Sequence, residues 1–232
     1  MNKICLIAGA NSEIACTIAK RLVDEYTLIL CRHENHQRID ELLKIPNTSC
    51  VQADLRDEVQ VDNLMKSIFR EYKTIDLLIN CVGRNISVAE SELSEAIWDE
   101  VISANLKPAF FLCKFYLRYR SENSSGCIIN FSSTAGIRPL PSSPQYITAK
   151  AGLIALSTYY AKIMAPHVRV NVIAPSFVQT QKHNSPAYDS IRNQIPLKRM
   201  ATLSEIVETV KYIADCNYLT GQTIVLDGGL IS

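Results

Sequence analysis

The chain alternates short runs of consecutive apolar residues with longer stretches in which apolar residues recur every three to four positions. Runs at 3–8, 27–31, 49–53, 75–80, 127–131, 168–173 and 223–226 read as strands. Between the first two, Ile14, Ile18, Leu22 and Val23 form a helical stripe, with Ser12 placed to cap it and Glu13 in its first turn. Val61, Leu64, Met65, Ile68 and Tyr72 form a second stripe. Residues 93–119 predict one long helix, or two joined at Pro108, and 145–164 and 203–215 predict two more. Strands apolar on both faces, alternating with helices, imply an α/β class: a doubly wound parallel sheet with helices on both faces and right-handed crossovers. No repeat, low-complexity tract or linker divides the 232 residues, so residues 1–232 are expected to form a single domain.

In such sheets ligands bind beyond the carboxyl ends of the strands, where the strand order reverses. Gly9, Asp54, the stretch from Asn80 to Gly83, and Ser132 and Ser133 all follow strands there, although each alone could be an ordinary loop residue. Tyr146 and Lys150 stand four apart on one helical face. An ammonium beside a phenol favours the phenolate, which suits a general acid or base near neutral pH. The same spacing also describes an amphipathic surface pair.

Composition changes this picture little. Hydrophobic residues make up 47% and charged residues 20%, and the net charge of +1 gives no reason to expect a nucleic-acid or anionic-membrane partner. No apolar run is long enough to span a bilayer, and the apolar start is too short for a signal peptide, with Asn11, Ser12 and Glu13 following at once. The eight cysteines have no zinc-ligand or Cys-x-x-Cys spacing. They read as reduced thiols of a cytoplasmic protein, and no metal site is expected.

Several segments together resemble the short-chain dehydrogenase/reductase family, close to its 3-oxoacyl-carrier-protein reductases, over nearly the whole chain. They are the stretch ending Asn80-Cys81-Val82-Gly83, Asn105 within Ser103-Ala104-Asn105-Leu106, Asn130-Phe131-Ser132-Ser133, and Tyr146 with Lys150. Asn171-Val172-Ile173-Ala174-Pro175 and the close Leu226-Asp227-Gly228-Gly229 complete the pattern. Ser133 is preferred to Ser132 because it lies 13 residues before Tyr146, a usual spacing in the family.

The resemblance implies a Rossmann-type fold and a catalytic set of Asn105, Ser133, Tyr146 and Lys150. It implies cofactor contacts from Gly9, Asn11, Ser12 and Ile14 in the first turn, and from Asp54, Leu55, Asn80, Val82 and Gly83. Tyr146, Lys150, Pro175, Val178 and Thr180 complete the expected cofactor set. Arg32 after the second strand suits NADP(H) over NAD(H), because an arginine there can accept the extra phosphate; read alone, it could be a solvated loop charge. The implied activity interconverts a carbonyl and a secondary alcohol on a small-molecule substrate. Ile137, Arg138, Leu140, Phe177 and a lid near 181–195 would line the substrate site. A homo-oligomer, tetramer or dimer, is implied as well. His167 and His183 read as ordinary surface or loop residues.

The glycine-rich turn departs from the family pattern. Glu13 and Ala15 replace two of its glycines, and Ser176 replaces another after Pro175. A carboxylate at a helix N-terminus takes the place an anion favours. That motivates an alternative of a different class: a regulatory or scaffold protein of the same fold that binds a dinucleotide weakly or not at all. Glu13 could also point aside and simply favour the helix.

Overall fold

The computed structural model describes residues 2–33, 37–139, 143–183, 185 and 188–231. Seven strands form one sheet: β1 (Lys3–Ala8), β2 (Tyr26–Arg32), β3 (Thr48–Gln52), β4 (Leu77–Asn80), β5 (Gly126–Phe131), β6 (Val168–Pro175) and β7 (Thr223–Leu226). Their spatial order is β3-β2-β1-β4-β5-β6-β7, and every pairing is parallel. The order therefore reverses between β1 and β4, which places the switch point above Ala8 and Asn80, partners across that ladder.

Alternate residues of each central strand feed two separate cores. Leu6, Leu78 and Ile128 pack on one face with α3 (Glu58–Tyr72), α4 (Glu95–Tyr119) and α5 (Pro144–Met164). Ile7, Ile79 and Ile129 pack on the other with α1 (Glu13–Leu22), α2 (Gln37–Leu42) and α7 (Leu203–Asp215). The doubly wound architecture is as the hydrophobic pattern predicts. Ser12 caps α1, its side chain accepting from the Ala15 amide at 3.1 Å. Arg169 closes the far end of α7, donating to the Ile213 and Ala214 carbonyls at 2.8 and 2.7 Å.

The structure refines the pattern in three places. A 3-10 turn, Glu90–Glu92, precedes the stretch 93–119, and its helix starts at Glu95 behind a Ser94 cap. Pro108 lies inside α4 as a single helix: it removes one intrahelical bond, but it is buried, and tertiary packing holds both halves in line. Two short helices, α2 and α6 (Asp189–Gln194), leave no periodic trace. Among the described side chains the first buries Ile39 and Leu42 alone, and the second buries no residue. Along α4, Phe111, Phe115 and Tyr116 are buried, whereas Trp98 is half-buried and Phe110 is exposed. All eight cysteines are free thiols, as expected.

Candidate active site

Two depressions open at the carboxyl ends of the strands and share Val82, Gly83 and Arg84 as a common wall. The wider, about 540 Å³, is lined by Gly9, Asn11, Arg32, His33, Asp54, Leu55 and Arg56, with Ala104 and Pro108 of α4. The narrower, about 280 Å³, is lined by Ser12, Ile14, Ser133, Tyr146, Lys150, Pro175, Val178 and Thr180, with Cys81 and His183. The predicted residues thus divide between two halves of one cleft. Asn80 and Asn105 stand behind its wall.

Tyr146 and Lys150 come from the first turns of α5, as their spacing predicts. Ser133 follows β5, its hydroxyl accepting from the Ala135 amide at 3.2 Å, and it lines the same half of the cleft as the Tyr146 phenol. Ser132 is buried and donates to the Lys150 carbonyl at 2.8 Å, tying the strand end to the helix, so the two serines have different roles. Gly136 lets the same elements meet: a Cβ there would lie 2.6 Å from the Lys150 carbonyl carbon.

The electrostatics differ from the expectation of a lysine lowering the tyrosine pKa. Burial pushes the Tyr146 phenol up, and the Ser133 hydrogen bond pulls it back only in part. Burial pushes Lys150 down to about 8, with a slight opposing effect from Cys81. The Lys150 ammonium donates to the Phe131 carbonyl at 2.9 Å and lies 5.6 Å from the centre of the Tyr146 ring. Burial is therefore the largest influence on both groups.

Asn105 is fully buried in α4. Its amide donates to the Arg84 and Val101 carbonyls, each at 2.7 Å, while its Oδ1 accepts no hydrogen bond. A Cβ built on Gly83 would stand 2.9 Å from that oxygen and 3.0 Å from Lys150 Nζ. Gly83 thus leaves a gap between an unsatisfied acceptor and the ammonium. Asn80 braces the wall from inside, its Oδ1 accepting from the Val82 amide at 3.1 Å and its amide donating to Asn130 at 3.0 Å.

The wider half fits a dinucleotide. Gly9 has φ +75°, and a Cβ there would stand 2.9 Å from Val82 N, so only glycine keeps this turn close to β4. Arg32 is largely buried, and its Nε and Nη1 make no hydrogen bond among the described residues; an Asp40 carboxylate oxygen lies 3.9 Å from Nη1. Unsatisfied guanidinium donors beside a cleft suit a phosphate. Asp54 is gripped by Arg56 through Nε and Nη2 at 2.9 and 2.8 Å, and His33 stands 3.6 Å from it, so its carboxyl is held below the usual range chiefly by Arg56.

Glu13 turns toward the segment after β6: its carboxylate accepts from the Gln181 amide at 3.1 Å, with Arg38 3.9 Å away. Ser176 donates its backbone N–H to Leu226 across the sheet, at 2.9 Å. His183, expected to be an ordinary loop residue, lines the narrow half and contacts the Val178 carbonyl at 2.8 Å. Its place in the expected lid is the only sequence signal that singled it out. Ile137 and Arg138 are exposed, and Arg138 donates to the Ile231 carbonyl at 2.9 Å. Leu140 lies outside the described residues, as do 184, 186 and 187 of the expected lid. Among the described residues no group of three or more His, Cys, Asp and Glu side chains could hold a metal ion, and no helix is long and apolar enough to cross a membrane.

Comparison with known proteins agrees with this layout. A family model described as enoyl-(acyl carrier protein) reductase matches residues 8–231. The 3-oxoacyl-(acyl-carrier-protein) reductase FabG of Thermotoga maritima is 30% identical over 240 residues, spanning 99% of this chain and 98% of that protein. FabG of Staphylococcus epidermidis is 29% identical over 242 residues, spanning 99% of each. The solved structure of ElxO with NADP bound superimposes with a TM-score of 0.92 at 26% identity, over 100% of this chain and 99% of that one. The ligand-free aldohexose dehydrogenase of Thermoplasma acidophilum, at 24% identity and a TM-score of 0.87 over 99% of this chain and 94% of its own, is alike in fold. With a match running almost end to end and the cleft built as described, the chain belongs to the short-chain dehydrogenase/reductase family of NAD(P)-dependent oxidoreductases.

Proposed function

We propose that this protein is an NADP(H)-dependent reductase that interconverts a small-molecule carbonyl and a secondary alcohol. The observation that carries the reading is that Ser133, Tyr146 and the buried Lys150, whose ammonium donates to the Phe131 carbonyl, line one cleft. The dinucleotide, when bound, supplies the hydride. Gly9, Asn11, Ser12, Ile14, Asp54, Leu55, Val82 and Gly83 would hold it, with Pro175, Val178 and Thr180 closing on its other side.

The chain's own residues manage the oxygen. Tyr146 donates its proton to the carbonyl oxygen as negative charge develops there, and the raised phenol pKa keeps that proton in place at neutral pH. Ser133 donates a hydrogen bond to the same oxygen and stabilises that charge. Lys150 stabilises the phenolate that results. Asn105 Oδ1 and Lys150 Nζ face each other across Gly83, a gap suited to a water that returns the proton to Tyr146. The scaffold alternative loses support from the position of Glu13, whose carboxylate is engaged by Gln181.

Replacing Tyr146 by Phe removes the transferable proton and leaves the other cofactor contacts in place. NADPH oxidation across a panel of ketones is expected to fall at least about a hundredfold, within the usual worth of a general acid. NADPH binding by fluorescence titration is expected to stay within about twofold. A variant that keeps most of its turnover refutes the assignment of Tyr146.

Arg32 is proposed to read the additional phosphate of NADP(H). In Arg32→Asp, NADPH affinity is expected to fall roughly tenfold to a hundredfold, the worth of a charge-assisted hydrogen bond, with little loss for NADH. Equal loss for both cofactors, or none for either, removes Arg32 from that role.

The assembly is proposed to be a homotetramer. Phe110, Tyr159 and Ile163 leave apolar surface exposed on α4 and α5, and Tyr212 and Val225 do so on α7 and β7. Two such faces suit a closed assembly with two kinds of interface. Light scattering at micromolar concentration is expected to give four times the mass of one chain, and a monomer contradicts this. Eight free thiols suit a reducing compartment, and the cytoplasm is the location this reading assigns.

A further inference from the structure

Glu13 occupies the junction of the two halves of the cleft: Asn11 lines the wide half, and Ser12 and Ile14 line the narrow one. From the first turn of α1 its carboxylate accepts a hydrogen bond from the backbone amide of Gln181, at 3.1 Å. Gln181 opens the 3-10 turn Gln181–His183 that follows Val178 and Thr180, the opposite wall of the narrow half. The Gln181 side-chain oxygen accepts from Arg38 Nη2 at 2.7 Å, and the same nitrogen stands 3.9 Å from Glu13 Oε2. Three elements from distant parts of the chain are thus joined across the cleft, between the compartment that suits the adenosine end of a dinucleotide and the one that suits its reacting end.

We propose that Glu13, Gln181 and Arg38 form a clasp that closes over the bound dinucleotide and governs how fast it enters and leaves. The inference rests on the dinucleotide-binding role assigned above. Three features support it. The carboxylate is turned to a fixed amide on the far wall, so the charge that would oppose a diphosphate is committed elsewhere. Arg38 supplies the opposite charge at the same place, and a guanidinium can contact a carboxylate and an amide oxygen together. The linked amide lies one residue beyond Thr180 of the cleft wall, so opening the link frees that wall. Glu13 and Arg38 act here as positioning residues and take no part in the chemistry.

The clasp and a simple like-charge repulsion predict opposite signs. If the clasp holds, Glu13→Ala loses it, and both association and dissociation of NADPH quicken roughly three- to tenfold in stopped-flow fluorescence, the worth of one exposed charge-assisted hydrogen bond. The equilibrium affinity then moves less than either rate. Glu13→Gln keeps an oxygen that can accept from the Gln181 amide and is expected to restore most of the slow dissociation. Arg38→Ala is expected to fall between the two. In the ligand-free protein, hydrogen exchange at the Gln181 amide is expected to quicken in Glu13→Ala and much less in Glu13→Gln. Slower dissociation in both Glu13 variants means that the carboxylate only repels the cofactor, and this overturns the proposal. Unchanged rates in Glu13→Ala overturn it as well. A wild-type protein that binds no dinucleotide, while Gln181 exchange still depends on Glu13, removes the cofactor reading and with it the clasp's function, an outcome distinct from the other two.

Discussion

The cleft is organised around an ammonium group that the fold buries with no carboxylate partner among the described residues. Lys150 is 3% exposed, its ammonium donates to a backbone carbonyl, and burial lowers its pKa to about 8. A charge taken out of water in this way destabilises the protein unless neighbouring dipoles compensate. The sign follows from linkage. The folded pKa lies below the ordinary 10.5, so the penalty is present below pH 8 and is relieved as pH rises from about 8 toward 10.5. Such a cost is retained where the group works, and here it sits beside a phenol, a serine hydroxyl and an unsatisfied amide oxygen.

The rest of the structure fixes that ammonium in place. The parallel sheet brings β4 and β5 side by side, so that the loops after both strands meet the first turns of α5. Ser132 ties the end of β5 to the Lys150 carbonyl, and Gly136 lets the turn after it touch the same helix. Beneath them runs a buried chain of bonds from Asn80 to Asn130, from Asn130 to Ser157 at 3.0 Å, and from Ser157 to the Leu153 carbonyl at 2.7 Å. Satisfied polar networks of this kind hold strand ends and helix in one geometry, because each buried group depends on its neighbour. Lys150 therefore sits on rigid elements, while the opposite wall, from Val178 to His183, belongs to a loop and a 3-10 turn.

Much of this was legible in the sequence, and the limits have physical causes. The strands are short, continuous apolar runs that parallel sheets require, so the architecture follows from pattern alone. Helical spacing places Tyr146 beside Lys150, and the family spacing separates Ser133 from Ser132. Sequence does not reveal which way a side chain turns or how deeply it is buried. Glu13 was read by its place in the glycine-rich turn, yet its carboxylate meets Gln181, a partner far along the chain. The tyrosine pKa was expected to fall because adjacent charge is visible in sequence and burial is not. Helices α2 and α6 were invisible because six residues cannot show a period. No motif marks His183, because its neighbours in the cleft come from β6 and the loop that follows it.

The central claim is that a buried ammonium, held by a backbone carbonyl, defines the catalytic end of the cleft. Nitrogen-15 and carbon-13 NMR of the lysine side chains in the ligand-free protein tests it directly, with Lys150→Met assigning the resonance. The account predicts a midpoint of about 8 for Lys150, well below the ordinary 10.5. A midpoint at or above 10.5 would show an ammonium that is solvated or paired with a carboxylate, and would contradict the account.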